Sequence, residues 1–123
     1  MRVQNFLIIS AAIYIPLGLI MVFFPKFLYG LYGFDLGPAG KILGRVVGSA
    51  IIGLGFINLI SSTDKKETIA MGAILFGNLI YHFIDLFLVT PPTIRGEVNQ
   101  LTWMFVAIHL ILTIGFGHFL LRH

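Results

Sequence analysis

The chain has no cysteine and very little charge. Without thiols there is no disulfide exchange, no thiolate nucleophile and no cysteine-held metal. Only 11% of the residues are Asp, Glu, Lys or Arg, where a soluble domain carries about 25%. So little charge leaves a globule uncovered in water. No basic run is longer than Lys65-Lys66, so the net charge of +3 is scattered rather than striped, and a nucleic-acid partner is not expected. A glycine-rich phosphate loop is also missing, and Ser10, Ser49, Ser61 and Ser62 show no nucleophile-elbow context. Nucleotide chemistry and serine hydrolysis therefore lack their residues.

What is present is apolar. Hydrophobic residues make up 58% of the 123, and the mean hydropathy is +0.98. Four long apolar runs, roughly residues 3–24, 39–60, 68–89 and 101–121, each match the roughly 20 residues a helix needs to cross a bilayer. They are too long for strands and do not alternate in twos. The expected fold is all-α: an integral membrane four-helix up-down bundle, with residues 1–123 as one transmembrane domain and no room for a soluble catalytic domain. Met1-Arg2-Val3 leads into the first run without an Ala-x-Ala-like cleavage site, which reads as a retained span. Pro16 lies inside that run and Pro25 closes it. Residues 26–37 mix aromatics, glycines and charge, and with Tyr29 and Tyr32 they read as a segment lying at the headgroup boundary.

Small residues four apart, Gly44 and Gly48, Ser49 and Gly53, Ala73 and Gly77, predict close helix packing faces. Ser61 to Glu67 reads as a polar turn, and Pro91-Pro92 as a stiff loop after the third span. One side of the membrane is expected to hold Arg2, Lys65, Lys66 and Arg122, the other Lys26, Lys41 and Arg95. With Arg45 inside the bilayer, the balance predicts both termini in the cytoplasm, in a bacterial inner membrane.

Ionisable residues inside spans are expensive and point to function. Here they are Arg45, His82, Asp85 and His109, with Asn58 and Asn78 as neutral companions. Counting about 1.5 Å of rise per residue, Arg45 and Asp85 fall at a similar depth and are expected to form an ion pair. Asn78, His82 and Asp85 stand at i, i+4 and i+7, one stripe of a helix, and Thr102, His109 and Thr113 make another. With Trp103 near the same level, Arg45, His82, Asp85, Trp103 and His109 are the expected lining of a polar intramembrane cavity. The same residues, read as glue, would only hold helices together.

Gly18-Leu-Ile-Met-Val-Phe-Phe-Pro25, Gly44-Arg45-x-x-Gly48, Gly53-x-Gly55, Asn99-x-x-x-Trp103, His109 and Gly115-Phe116-Gly117 form a pattern over most of the chain. It resembles small bacterial four-span membrane proteins near the DoxX-like group. The resemblance implies the four-helix fold and carries no reaction with it.

Two functions are expected from these residues. One is the binding of a small amphipathic molecule, lipid or quinone-like, with Arg45 meeting an anionic or carbonyl group. The other is an accessory subunit of a larger membrane complex or a homo-oligomer, using the glycine faces. Haem held by His82 and His109, or zinc held by these two and Asp85, are further options. A small multidrug exporter would need an acidic residue mid-way along the first span, where Ile13 and Tyr14 stand.

Overall fold

The computed structural model describes residues 1–64 and 68–122. Lys65, Lys66 and Glu67, and with them part of the polar turn and of the orientation count, lie outside the described residues, as does His123. Among the described residues the chain is all-helical: α1 Val3–Phe23, α2 Pro25–Leu31, α3 Pro38–Ser61, α4 Ile69–Ile94 and α5 Thr102–Leu120. All but α2 are long and apolar enough to cross a membrane. A helix satisfies its backbone polar groups within itself, as hydrocarbon requires. The chain is an integral membrane protein.

Its helices form two compact units, Met1–Lys65 and Lys66–His123. In the first, α1 and α3 run antiparallel. Gln4 reaches the Asp64 carbonyl, Asn58 bonds Ser10, and Gly18 lies against Gly48. The buried positions step by three and four: Leu7, Ala11, Tyr14, Gly18 and Met21 on α1, and Gly44, Gly48, Ile51, Gly55 and Asn58 on α3. That spacing is the 3.5-residue period of a left-handed helix seam. A β-carbon added at Gly18 would stand 2.7 Å from the Gly48 carbonyl oxygen, so only glycine lets the backbones meet there. Gly44 instead receives the Tyr29 ring of α2.

The expected faces at Ser49/Gly53 and Ala73/Gly77 are not part of these seams. All four residues are exposed, and nothing lies within 4 Å of where a β-carbon would sit on Gly53 or Gly77. The seam takes Gly48 and Gly55, seven apart, because two turns return a helix to the same face.

Toward the Gln4–Asp64 end of the first seam, Asn58 Nδ2 donates to Ser10 Oγ at 3.0 Å, and Ser10 donates onward to the Leu7 carbonyl at 2.9 Å. Both side chains are fully buried. Ser10→Ala is expected to lower stability in detergent by only about 0.6 kcal/mol, the average for such bonds in membranes. Reversible unfolding in mixed micelles would measure it, and a loss of several kcal/mol would mean the bond organises the hairpin.

Phe24 breaks α1 from α2, and Pro25 opens α2 at its first position, where a missing N–H is harmless. Gly33 and Phe34 then close α2 in a Schellman cap, Gly33 N–H to the Gly30 carbonyl and Phe34 N–H to that of Tyr29. The cap needs a left-handed residue, and Gly33 has φ 86°.

In the second unit α4 and α5 are antiparallel, with the Thr68 side chain capping α4 by accepting from the Met71 N–H. The buried stripes are Met71, Leu75, Asn78 and His82 on α4, and Thr102, Val106, His109, Leu112 and Phe116 on α5. The expected loop at Pro91-Pro92 is helix instead, since α4 continues to Ile94. Prolines are tolerated there because only two carbonyls lose their N–H partners, and both lie in the final turns. Thr93 Oγ1 bonds one neighbouring carbonyl, that of Val89, at 2.6 Å. Gly96, at φ 68°, then ends the helix in a second Schellman cap.

Candidate functional site

The polar stripe of α4 meets that of α5 inside the second unit. His82 and His109 are both buried, 1% and 4% exposed, and their Nδ1 atoms lie 2.9 Å apart. At that distance one imidazole donates and the other accepts. Asp85 Oδ2 stands 3.5 Å from the same His109 nitrogen. A carboxylate beside that atom favours a proton on it, so His109 is best assigned as the donor and His82 as the acceptor. The Tyr81 hydroxyl, one turn before Asp85, hydrogen-bonds the carboxylate.

Aromatic rings wall the pair. Phe116 stacks on His82 with centroids 5.9 Å apart and planes 13° from parallel, and Phe105 tilts against His109 at 4.4 Å. Tyr81 lies edge-on to His82 at 4.9 Å. Asp85 is the accessible end of this cluster, its side chain 23% exposed. Seven residues before His109 on the same face of α5, Thr102 is buried and its hydroxyl has no hydrogen-bond partner among the described residues. Thr113, the other member of that stripe, spends its hydroxyl on the His109 carbonyl at 2.7 Å. Asn78 likewise donates to its own helix, at the Ile74 carbonyl.

Three of the five expected site residues, His82, Asp85 and His109, are thus brought together. Trp103 is not with them. It is 48% exposed, and six residues before His109 places it about 120° around the helix. Arg45 is exposed on α3 of the first unit. The expected Arg45–Asp85 pair would join the two units; within its own unit Asp85 has His109. The depth estimate that set Asp85 level with Arg45 counts axial rise only.

Tyr81, Phe105 and Phe116 were missed from sequence. Tyr81 sits at i−4 from Asp85, a spacing that could have flagged it, whereas the two phenylalanines carry no signal beyond helical period.

The two histidines bond one another. If a haem iron bound here, these two imidazoles would be the residues to hold it, and with Asp85 they would be the candidates for a zinc ion. Among the described residues no group of three or more His, Asp or Glu side chains is placed to hold a metal ion. The arrangement places a hydrogen bond between two imidazoles and offers a carboxylate and a phenol at its edge.

Compared with protein-family models, curated proteins and solved structures, the chain matches none.

Proposed function

We propose that this integral membrane protein binds a small amphipathic molecule, lipid or quinone-like, at the polar cluster of Tyr81, His82, Asp85 and His109, in a bacterial inner membrane with both termini cytoplasmic. The observation that carries the proposal is Asp85, a partly exposed carboxylate in a membrane span, tied through His109 to a buried imidazole pair. Ionisable groups at that depth are retained at a cost that packing alone does not require. A carboxylate accepts hydrogen bonds, so the head it suits carries a hydroxyl or amine donor, as a quinol does. The tail of such a molecule lies in lipid. Thr102 supplies a spare buried hydroxyl on the same face. Arg45 and Trp103, expected as members, are not needed for this reading. The resemblance to DoxX-like proteins is proposed alongside it as a likeness of fold.

Native mass spectrometry of protein released gently from its own membrane tests the proposal. A small-molecule adduct is expected on the wild type and is expected to fall at least about tenfold in Asp85→Asn, the loss of one charge-assisted hydrogen bond. An adduct equally abundant in Asp85→Asn would refute the site. A Soret band in the same sample would replace this reading with a haem one.

A second reading, an accessory subunit of a larger membrane complex, is favoured by Gly53 and Gly77, which have open space beside them on apolar helices. Copurifying membrane subunits over an empty cluster would support it.

A further inference from the structure

A second cluster lies in the first unit, where α1 ends and α3 begins, and the ligand proposed above makes no use of it. An open groove of about 350 Å³ is lined by Lys26, Gly30, Gly33, Phe34, Asp35 and Leu36. The Lys26 side chain lies within hydrogen-bonding reach of Lys41, one turn into α3, and Arg45 and Asp35 are the other charges acting at that point. Two ammonium groups that both donate and cannot accept are not partners for one another. Their closeness is unfavourable by itself, and three cations against one carboxylate leave the spot positive. What relieves it is an anion whose oxygens accept from both.

The surroundings select the kind of anion. Tyr29, whose ring packs on Gly44 and edge-on to the groove residue Phe34, and Tyr32 next to Gly33 in the chain are pushed above their ordinary range by burial, which keeps them neutral hydrogen-bonding groups. Tyrosines of this kind belong to the headgroup boundary. Around them Phe23, Phe24 and Phe27 are more than 60% exposed, as are Ile42 and Leu43 on α3. A soluble anion gains nothing from that apolar collar, whereas the acyl chains of a lipid cover it. The groove lies between α2 and the start of α3, and the end of a membrane-spanning helix is where the phosphates of a bilayer lie.

We propose that Lys26, Lys41 and Arg45 form a binding site for the phosphate of an anionic phospholipid, its acyl chains lying over Phe23, Phe27 and Leu43. Arg45 in this arrangement serves the headgroup and not Asp85. The lipid would be an annular partner held by the first unit, separate from the molecule taken at the histidine pair.

The full chain in detergent micelles is titrated with phosphatidylglycerol and phosphatidylcholine of matched acyl chains, and retained lipid is counted by native mass spectrometry. Each basic residue near a surface favours an anionic lipid by about fivefold, so a clear preference for phosphatidylglycerol is expected. The double variant Lys26→Gln, Lys41→Gln is expected to lower that preference about 25-fold, while Lys26→Arg, Lys41→Arg keeps it. Equal retention of the two lipids by the wild type overturns the proposal without recourse to any variant. So does an undiminished preference in the folded glutamine variant. Complete displacement of phosphatidylglycerol by an excess of inorganic phosphate would assign the site to a soluble anion instead and equally refute a lipid. Loss of the ligand at Asp85 leaves these outcomes unchanged, so the two proposals fail separately.

Discussion

Gly48→Leu is expected to separate α1 from α3. A β-carbon at position 48 would stand 2.7 Å from the Met21 Cβ and 2.9 Å from the Gly18 carbonyl oxygen. Neither is the free end of a flexible side chain. One is anchored to its backbone and the other is backbone, so relief requires the helices to move apart. Gly18 and Gly55 then lose their own close contacts, since a β-carbon at Gly55 would already lie 2.7 Å from Ile15. Gly48→Ala is expected to destabilise the hairpin by about 2 kcal/mol, within the usual range for overpacking. Leucine adds three more carbons to the same gap and is expected to abolish the folded hairpin. Gly53→Leu, five residues along, places the same side chain in open space and is expected to change stability by less than about 0.5 kcal/mol. The chain has no cysteine, so spin labels at Gln4→Cys and Asp64→Cys report on α1 and α3 alone. Those residues touch in the native hairpin. A broadened, lengthened distance is expected for Gly48→Leu and a native one for Gly53→Leu. A native distance in both would mean the glycine seam is not what holds this unit.

The other large effect is expected from His109→Ala. That one imidazole holds both ends of the cluster: its Nδ1 faces His82 at 2.9 Å and Asp85 at 3.5 Å. Removing it takes away the buried His82–His109 hydrogen bond, and breaking such a bond from one side costs roughly 1–3 kcal/mol. It also takes from Asp85 the imidazole beside it and leaves the Tyr81 bond, in a span where a carboxylate is expensive. The void left against Phe105 adds to this. We expect lower stability together with at least about a tenfold loss of bound small molecule, because the group that orients Asp85 is gone. Thr113→Ala removes a hydroxyl that donates to the His109 carbonyl of its own helix and should change neither by more than a little. Asp85→Asn separates the two effects. It keeps the volume and is expected to retain stability while losing the ligand. If His109→Ala loses stability but keeps its adduct, the imidazole pair is helix glue and the ligand sits elsewhere.

Much of this was legible without coordinates. A hydropathy of +0.98 with four runs of about twenty apolar residues leaves only membrane helices, since water cannot solvate such a surface and lipid cannot solvate an open backbone. Span ends came within a residue or two, except at Pro91-Pro92. There the expected break failed because a proline near the end of a helix sacrifices few hydrogen bonds. The i, i+4, i+7 spacing placed His82 and Asp85 on one face of α4, and helical period alone guarantees that.

Which face meets which helix was decided only by tertiary structure. Ser49, Gly53, Ala73 and Gly77 have the same spacing as Gly44 and Gly48, yet only the latter pair lies in a seam. In lipid, apolar side chains gain little by leaving their solvent, so hydrophobicity does not mark the contact face as it does in water. Shape decides instead, and shape involves two helices at once. The same reason separates Trp103 from His109 and sets Asp85 beside His109. Sequence by itself determined that the chain is four helices in a membrane and which residues there are ionisable. The partners of those residues follow from helix rotation, which packing sets and composition does not.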